Sequence, residues 1–291
     1  MKLIAVTSMI IDHLGVFLFP RFIPLNIYRV MRTVGRIAFP IYCFLIINGF
    51  RKTRDVKRYL TRLIAFTVIS QVPFVMTFDA NPFPQGGGLH VQAAYSWFLC
   101  AALIFTAGAA WFMTVRRDWS VIWPLLALAM AVLRVDYGGV RILSDELNVF
   151  YTLALGLSVV AVLDAALKPD RDIVRLLMQA LGLFAAFFLI RDNADYRMLG
   201  VAFIVSLWLT GSNRLSQAAM ILMWSAVEYL VGNLPLTSNI PIAYFTCSLL
   251  SLLPILLYNG QLGRPLKAAF YLIYPVHLAI LGALTVYYTL A

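Results

Sequence analysis

Residues 3–20 read LIAVTSMIIDHLGVFLFP, an apolar run in which Asp12 and His13 are the ionisable side chains. A helix of that length, rising 1.5 Å per residue, crosses a hydrocarbon layer of about 30 Å. No small-x-small cleavage site follows the run, so we interpret it as a retained first span rather than a signal peptide. The stretch therefore predicts a membrane-spanning helix that holds two ionisable groups inside the apolar layer.

The rest of the chain has the same character. Of its 291 residues, 62% are hydrophobic and only 12% are charged, and the mean hydropathy is +0.85. A soluble domain usually needs about 25% charged residues. The apolar runs are about 17–22 residues long, and they do not alternate as the strands of a membrane barrel do. These features predict an all-α integral membrane protein.

The apolar runs predict a bundle of about eleven transmembrane helices. No polar stretch between them is long enough for a soluble domain, so we expect a single polytopic domain over residues 1–291. The Gly- and Pro-rich residues 81–90 are expected to form an outer loop. The predicted spans lie near residues 3–20, 34–50, 59–77, 94–115, 119–134, 148–166, 174–190, 197–210, 215–232, 240–258 and 268–290.

The basic residues predict the orientation of this bundle. Alternation of the spans puts 15 of the 23 Lys and Arg residues on one side, with a dense group in the loop at residues 51–58. Because basic loops stay in the cytoplasm, the N-terminus is predicted to be inside and the C-terminus outside. The net charge of +10 does not indicate nucleic-acid binding, since the basic residues are scattered rather than clustered on one domain face.

Several kinds of site are disfavoured by the sequence. Cys43, Cys100 and Cys247 each lie inside an apolar run, which is typical of packing residues rather than of disulfide or metal partners. We expect no metal. The chain has no Walker-type phosphate loop, no H-E-x-x-H and no G-x-S-x-G motif. An ATP-driven pump, a zinc protease and a serine hydrolase of those kinds therefore lose support.

Two histidines lie at similar depths in the first and last predicted spans. His13 and His277 are each about 15 Å along their helices, near the membrane midplane. Ionisable groups at that depth are costly and pose a functional question. Imidazole transfers protons near neutral pH, so both are candidate catalytic residues if the two spans are neighbours. The alternative is that each histidine only hydrogen-bonds a neighbouring helix.

Charged residues near His13 have their own interpretations. Asp12 points about 100° away from His13 on a straight helix, so we expect it to contact an arginine or water rather than the ring. Arg29, Arg32 and Arg36 form one helical stripe. We expect Arg29 and Arg32 to reach lipid headgroups, whereas Arg36 lies deep enough to need a buried partner, for which Asp12 is a candidate.

Polar residues at the inner end of the second span suggest an anion site. Asn48 and Arg51 end that span, and Arg54 follows in the basic loop. The phosphates of a cytosolic cofactor would match these cations. The alternative is a solvated loop whose charges only set the orientation.

Three groups of motifs, spread over nearly the whole chain, carry a resemblance to the TraX family of membrane acetyltransferases. They are Ile11-Asp12-His13-Leu14-Gly15 with Gly35-Arg36-Ile37-Ala38-Phe39-Pro40 and Asn48-Gly49-Phe50-Arg51; Asn148 with Thr152-Leu153-Ala154-Leu155-Gly156 and Asp195-Tyr196; and Tyr258-Asn259-Gly260 with Tyr274-Pro275-Val276-His277-Leu278.

The resemblance implies acetyl transfer from acetyl-CoA in a bacterial cytoplasmic (inner) membrane. It implies that His13, in the Asp-His pair, is the essential intramembrane histidine, with Asp12 and His277 beside it. The residues expected to bind substrate or cofactor are Arg36, Asn48, Arg51, Arg54, Asn148 and Tyr274. The acceptor would be a pilin-like peptide amine, a glycan or a lipid, and the other partner of the chain is the lipid bilayer.

Two other functions remain open from the residues. In a proton-coupled transporter, Asp12, His13, Arg36 and Glu228 would form a relay. In a structural subunit of a pilus or secretion assembly, the polar groups would only hold helices together.

Overall fold

The computed structural model describes residues 1–79, 88–91, 96–137, 140–143, 146–189, 196–232, 248–261 and 267–290. Most of the expected outer loop (residues 81–87), Asp195 and Cys247 lie outside the described residues, as do the side chains of Cys100 and Glu228. Cys43 is described, and it is buried in the core.

The described residues are mainly helical. The α-helices are α1 Lys2–Leu18, α2 Leu25–Gly35, α3 Ala38–Lys52, α4 Val56–Phe78, α5 Ser96–Thr114, α6 Ile122–Val132, α7 Val149–Ala166, α8 Ile173–Leu189, α9 Arg197–Leu209, α10 Arg214–Gly232, α11 Leu252–Leu256 and α12 Lys267–Leu290. A short 3-10 helix, Trp119–Val121, precedes α6. The strands are β1 Gly88–Val91, β2 Leu133–Tyr137 and β3 Val140–Leu143.

Within the described residues, four helical segments are long and apolar enough to cross a membrane: Leu25–Lys52, Val56–Phe78, Val149–Ala166 and Tyr271–Tyr288. Four shorter apolar helices are Ile104–Thr114, Trp119–Met130, Ile173–Phe187 and Met198–Leu209. The mainly helical fold is therefore confirmed, and its apolar helices are compatible with a membrane protein. The larger count of about eleven spans stays a prediction.

The small antiparallel sheet was not predicted. Its strand order is β1-β2-β3, with Leu89 opposite Val135 and Asp136 opposite Arg141. The predicted span 119–134 ends early because α6 stops at Val132 and the chain becomes extended in β2. Strands this short carry too little periodicity to be distinguished from the end of an apolar run.

The chain divides into two compact units, residues 1–49 with 206–291 and residues 50–205. In the first unit, α1 and α2 form a closely packed hairpin. A Cβ atom on Gly15 would lie 2.9 Å from Met31 Cβ, and one on Gly35 would lie 2.4 Å from Asp12. Small residues at these two positions therefore set how closely the helices approach.

Helix α12 packs beside α1 and runs in the same direction. His13 contacts His277, and further along both helices Phe17 contacts Tyr288, with ring centroids 6.3 Å apart. Because both contacts advance together towards the C-termini, α1 and α12 are parallel. This packing brings the first and last helices together, as the candidate site required.

A local break separates α2 from α3. The amides of Arg36 and Ile37 donate three residues back, to the carbonyls of Thr33 and Val34, in a tight turn. Pro40 has no amide hydrogen to donate to the Arg36 carbonyl, so an uninterrupted helix would lose a bond there. The sequence therefore bends the chain at Arg36.

The second unit is organised around α4, α7 and α8. Phe105, Ala109, Phe112, Val121, Leu128 and Ala185 form one buried cluster between α5, α6 and α8. A second cluster joins α7, α8 and α9 through Tyr151, Leu155, Leu183 and Val201. Gly156 allows α7 to approach α9, since a Cβ there would lie 2.5 Å from Ile204 Cδ1.

Candidate functional site

Two imidazole rings meet in the first unit. The Nδ1 atom of His13 lies 2.7 Å from Nε2 of His277, and His13 is only 7% exposed. The ring planes differ by 14° and the centroids are 5.0 Å apart. The centroid separation equals the distance between the two nitrogens plus one ring radius for each imidazole. Both nitrogens therefore lie on the line that joins the two centroids. The rings therefore meet edge to edge, the geometry of a hydrogen bond in the ring planes.

The elements that hold these rings are α1 and α12. His277 Nδ1 lies 2.8 Å from the carbonyl oxygen of Ile273, one turn earlier on α12. Tyr274 is buried, and its ring contacts both imidazoles edge-on, at centroid distances of 6.0 Å to His13 and 5.5 Å to His277. The expected site residues His13, His277 and Tyr274 are thus brought together.

Asp12 contacts an arginine rather than the His13 ring, as expected from the helical offset. The arginine seen in this contact is Arg32, whose Nη1 donates to Asp12 Oδ2 at 2.7 Å. The sequence interpretation had assigned Arg32 to lipid headgroups, and that assignment is wrong. Its side chain is only 23% exposed, because the close α1–α2 packing at Gly35 holds the guanidinium against the carboxylate.

Arg36 occupies the turn between α2 and α3. Its backbone ends α2 in a right-handed conformation (φ −63°, ψ −17°). Arg36 thus stands at the junction of the two helices that follow α1, one residue after Gly35, whose backbone packs against Asp12.

Asn48, Arg51 and Arg54 lie near the other end of α3. Asn48 Nδ2 donates to the Phe44 carbonyl one turn earlier. Arg51 is in the last turn of α3, and Arg54 is exposed in the short loop before α4. The Asp55 carboxylate caps α4 by accepting from the amide of Arg58. A role of these residues in cofactor binding stays a prediction.

Asn148 is fully buried in the second unit and has a structural role there. Its Nδ2 donates to the Thr67 carbonyl at 2.9 Å and to Gln71 Oε1 at 2.7 Å. Its Oδ1 accepts from the Phe150 amide, which caps the start of α7. Asn148 therefore joins α7 to α4. Gln71 extends this network by donating to the Glu146 carbonyl.

Sequence reasoning assigned no site role to Gly35 or Gln71. Gly35 stands in a family motif, but its contact with Asp12 depends on how α1 and α2 pack. Gln71 is one polar residue within the apolar sequence of α4. Spacing along one helix cannot reveal a contact between helices that are distant in sequence.

The described site has the chemistry of proton transfer. Two adjacent imidazoles can hold and exchange a proton. A half-buried ion pair, Asp12 with Arg32, joins α1 to α2 next to His13 in the chain. Such an arrangement can accept a proton from an attacking amine or hydroxyl and stabilise negative charge on an oxygen.

The chain is similar in sequence to one family model and to two other bacterial proteins. A family model described as TraX protein matches residues 1–145 and 143–285. The chain is 26% identical over 294 residues to a probable fimbrial assembly protein FimC, serogroup H1, of Dichelobacter nodosus, covering 97% of this chain and 92% of that protein. It is 37% identical over 73 residues to an uncharacterized protein of Rickettsia prowazekii (strain Madrid E), covering 25% of each. No solved structure matches.

Proposed function

The chain belongs to the TraX family, and on that premise we propose that it is a pilus-related membrane acetyltransferase. It transfers the acetyl group of cytosolic acetyl-CoA to an amine or hydroxyl acceptor. The observation that carries this proposal is the contact of buried His13 with half-buried His277, whose nitrogens are 2.7 Å apart on two apolar helices. A proton acceptor inside the apolar layer is what an acyl transfer across the membrane requires.

The proposed step needs one base and one source of positive charge. The acceptor amine or hydroxyl attacks the thioester carbonyl, and its proton passes to His13. The C–S bond then breaks, and the proton passes from His13 to the departing thiolate, which leaves as CoA thiol. Arg36 or His277 steadies the developing oxyanion, and Arg51 with Arg54 holds the phosphates of CoA.

The acceptor is proposed to be a pilin-like N-terminus. The relative from Dichelobacter nodosus is named as a probable fimbrial assembly protein and is similar over nearly the full length of both chains. A glycan or a lipid remains the alternative acceptor, and side-by-side assays with a pilin peptide, a glycan and lipid vesicles would separate them.

The proposed topology is about eleven spans in the bacterial inner membrane, with the N-terminus inside. The parallel packing of α1 and α12 supports it. If both helices cross the membrane in the same direction, the total number of crossings is odd. Labelling of single cysteines introduced near each terminus, with a reagent that does not cross the membrane, tests the opposite placement of the two ends.

The decisive experiment measures acetyl transfer by the purified full chain in lipid vesicles that contain labelled acetyl-CoA. The wild-type protein should label a pilin-like peptide, and His13→Ala should lower kcat by about 10²–10⁴-fold, the range of a general base. A folded His13→Ala protein with the wild-type rate would overturn the assignment. Exposed Gln261→Ala is a matched control on the same unit.

A covalent relay through acetyl-histidine is the alternative to direct transfer. Incubation of the purified protein with labelled acetyl-CoA alone distinguishes them. Direct transfer leaves no label on the protein, whereas a relay leaves one acetyl group on His13.

The second candidate function is a subunit of a fimbrial assembly machine without enzymatic activity, which the name of the Dichelobacter nodosus relative favours. Co-purification with an assembly partner, together with no acetyl-CoA binding, would support it. Proton flux into liposomes without acetyl-CoA would instead favour a proton-coupled transporter.

A further inference from the structure

We propose that His277 is a positioning residue that fixes the His13 ring in the tautomer protonated on Nδ1, so that Nε2 is the proton acceptor in catalysis. The catalytic meaning of this assignment rests on the proposed acetyltransferase function. The hydrogen-bond arrangement itself does not, because it follows from the positions of four atoms of α1 and α12.

The Nδ1 atom of His277 lies 2.8 Å from the carbonyl oxygen of Ile273. A carbonyl oxygen only accepts hydrogen bonds, so the proton of this contact belongs to His277 Nδ1. In a neutral imidazole the other nitrogen then carries a lone pair, and Nε2 of His277 is therefore an acceptor.

The acceptor Nε2 of His277 lies 2.7 Å from Nδ1 of His13, so His13 donates through an Nδ1–H group. The lone pair of a neutral His13 is then on Nε2. The Ile273 carbonyl thus fixes the tautomer of His277 directly, and His277 in turn fixes the tautomer of His13.

Packing keeps the two rings in this arrangement. The edge-to-edge approach aligns the N–H of one ring with the lone pair of the other, which is the favourable direction for a hydrogen bond. Tyr274 is 3% exposed and packs edge-on against both rings, which restricts their rotation. Tyr274 and Ile273 belong to the same turn of α12 as His277.

This arrangement divides the catalytic work between the histidines. When Nε2 of His13 accepts the proton of the attacking group, the new imidazolium still donates through Nδ1 to the lone pair of His277. His277 thereby stabilises the positive charge, as an orienting partner does in a catalytic triad. Both nitrogens of His277 are engaged in this arrangement, so the oxyanion role falls to Arg36.

Nitrogen NMR of the full chain in lipid tests the tautomers without reference to activity. The chain has three histidines, and His90→Gln leaves signals from His13 and His277 alone. We expect at neutral pH a protonated Nδ1 and an unprotonated Nε2 for both rings, which is the less common tautomer in water. A proton on Nε2 of His13 would overturn the proposal.

Kinetics tests whether the tautomer matters. His277→Leu removes the acceptor, and kcat should fall by about 10²–10³-fold with the KM for acetyl-CoA unchanged, since the loss is orientation of the base. His277→Gln can present its Oε1 atom to His13 Nδ1, and it should retain kcat within about tenfold of wild type. His277→Leu with the wild-type kcat would overturn the proposal.

The two proposals fail in different ways. A wild-type protein that transfers no acetyl group contradicts the proposed function, while the NMR spectrum still decides the pairing. An active wild-type protein whose His13 carries its proton on Nε2 leaves the function standing and removes the positioning role of His277.

Discussion

Nδ1 of His13 and Nε2 of His277 are 2.7 Å apart although the residues are 264 positions apart in the chain. The contact joins the first and last described helices into one site. It depends on the parallel packing of α1 and α12 and on the close approach of α1 to α2. The neighbouring contacts therefore make separate, testable contributions to the site.

The Asp12–Arg32 ion pair should stabilise the α1–α2 hairpin. Arg32→Met leaves a carboxylate that is only 16% exposed without this guanidinium, and Asp12→Asn leaves the arginine without its carboxylate. We expect a coupling free energy of roughly 0.5–3 kcal/mol in a double-mutant cycle, measured by unfolding in detergent. Additive effects of the two substitutions would contradict a direct interaction.

Gly35→Ala should separate α1 from α2. The added methyl group would lie 2.4 Å from the Cβ, Cγ and Oδ1 atoms of Asp12, so the backbones must move apart. We expect a loss of about 1–3 kcal/mol in stability and reduced acetyl transfer, because α1 carries His13. Gly108→Ala is the matched control: its methyl group meets the flexible end of Met178, which can turn aside, so melting temperature should change little.

Asn148→Asp should destabilise the second unit even though aspartate can still cap α7. The substitution replaces the Nδ2 donor, so the Thr67 carbonyl and Gln71 Oε1 both face an oxygen. We expect a loss of about 1–3 kcal/mol in the free energy of unfolding. Asn213→Asp is the exposed control, because Oδ1 of Asn213 only accepts from the amides of Leu215 and Ser216. Equal effects at both positions would contradict the donor role of Asn148.

Asp118 should make stability depend on pH in acid. Burial raises the pKa of this carboxyl, but hydrogen bonds from Ser120 and the charges of Arg175 and Lys57 outweigh that effect and lower it below 3.8. A lowered pKa means that the stabilisation is fully present above the unfolded value and is lost as pH falls through the folded value. Asp118→Asn can still accept from the Ser120 amide through Oδ1 but lacks the charge. Its melting temperature should fall below wild type at pH 7 and match it in strong acid; a difference unchanged by pH would contradict the charge effect.

Arg51 and Arg54 test the proposed cofactor contact. The double substitution to Ala should raise the KM for acetyl-CoA by about tenfold or more, because charge-assisted bonds to phosphate contribute about 1.5–3 kcal/mol each. Lys57→Ala with Arg58→Ala, in the first turn of α4, is the matched control for a general loss of positive charge. Equal KM values for the wild type and both double variants would indicate that the basic loop only sets the orientation of the chain in the membrane.

Much of the site was predictable from local sequence. His13 and His277 stood out because ionisable groups in apolar runs are costly, and Tyr274 belonged to a motif around His277. The contact of Asp12 with an arginine followed from the 100° helical offset between adjacent residues. Arg32 was placed wrongly because its exposure depends on the α1–α2 packing, and that packing depends on Gly35.

The sequence by itself determined the helical membrane character of the protein, because the length and apolarity of a run control whether a segment suits a bilayer. It also identified the histidines, since their chemical cost can be read at each position. Only the tertiary structure decided that His13 meets His277 edge to edge, that the Ile273 carbonyl orients both rings, and that Arg32 contacts Asp12. These contacts depend on the distance and rotation of helices that are far apart in the chain, which no periodicity within one helix specifies.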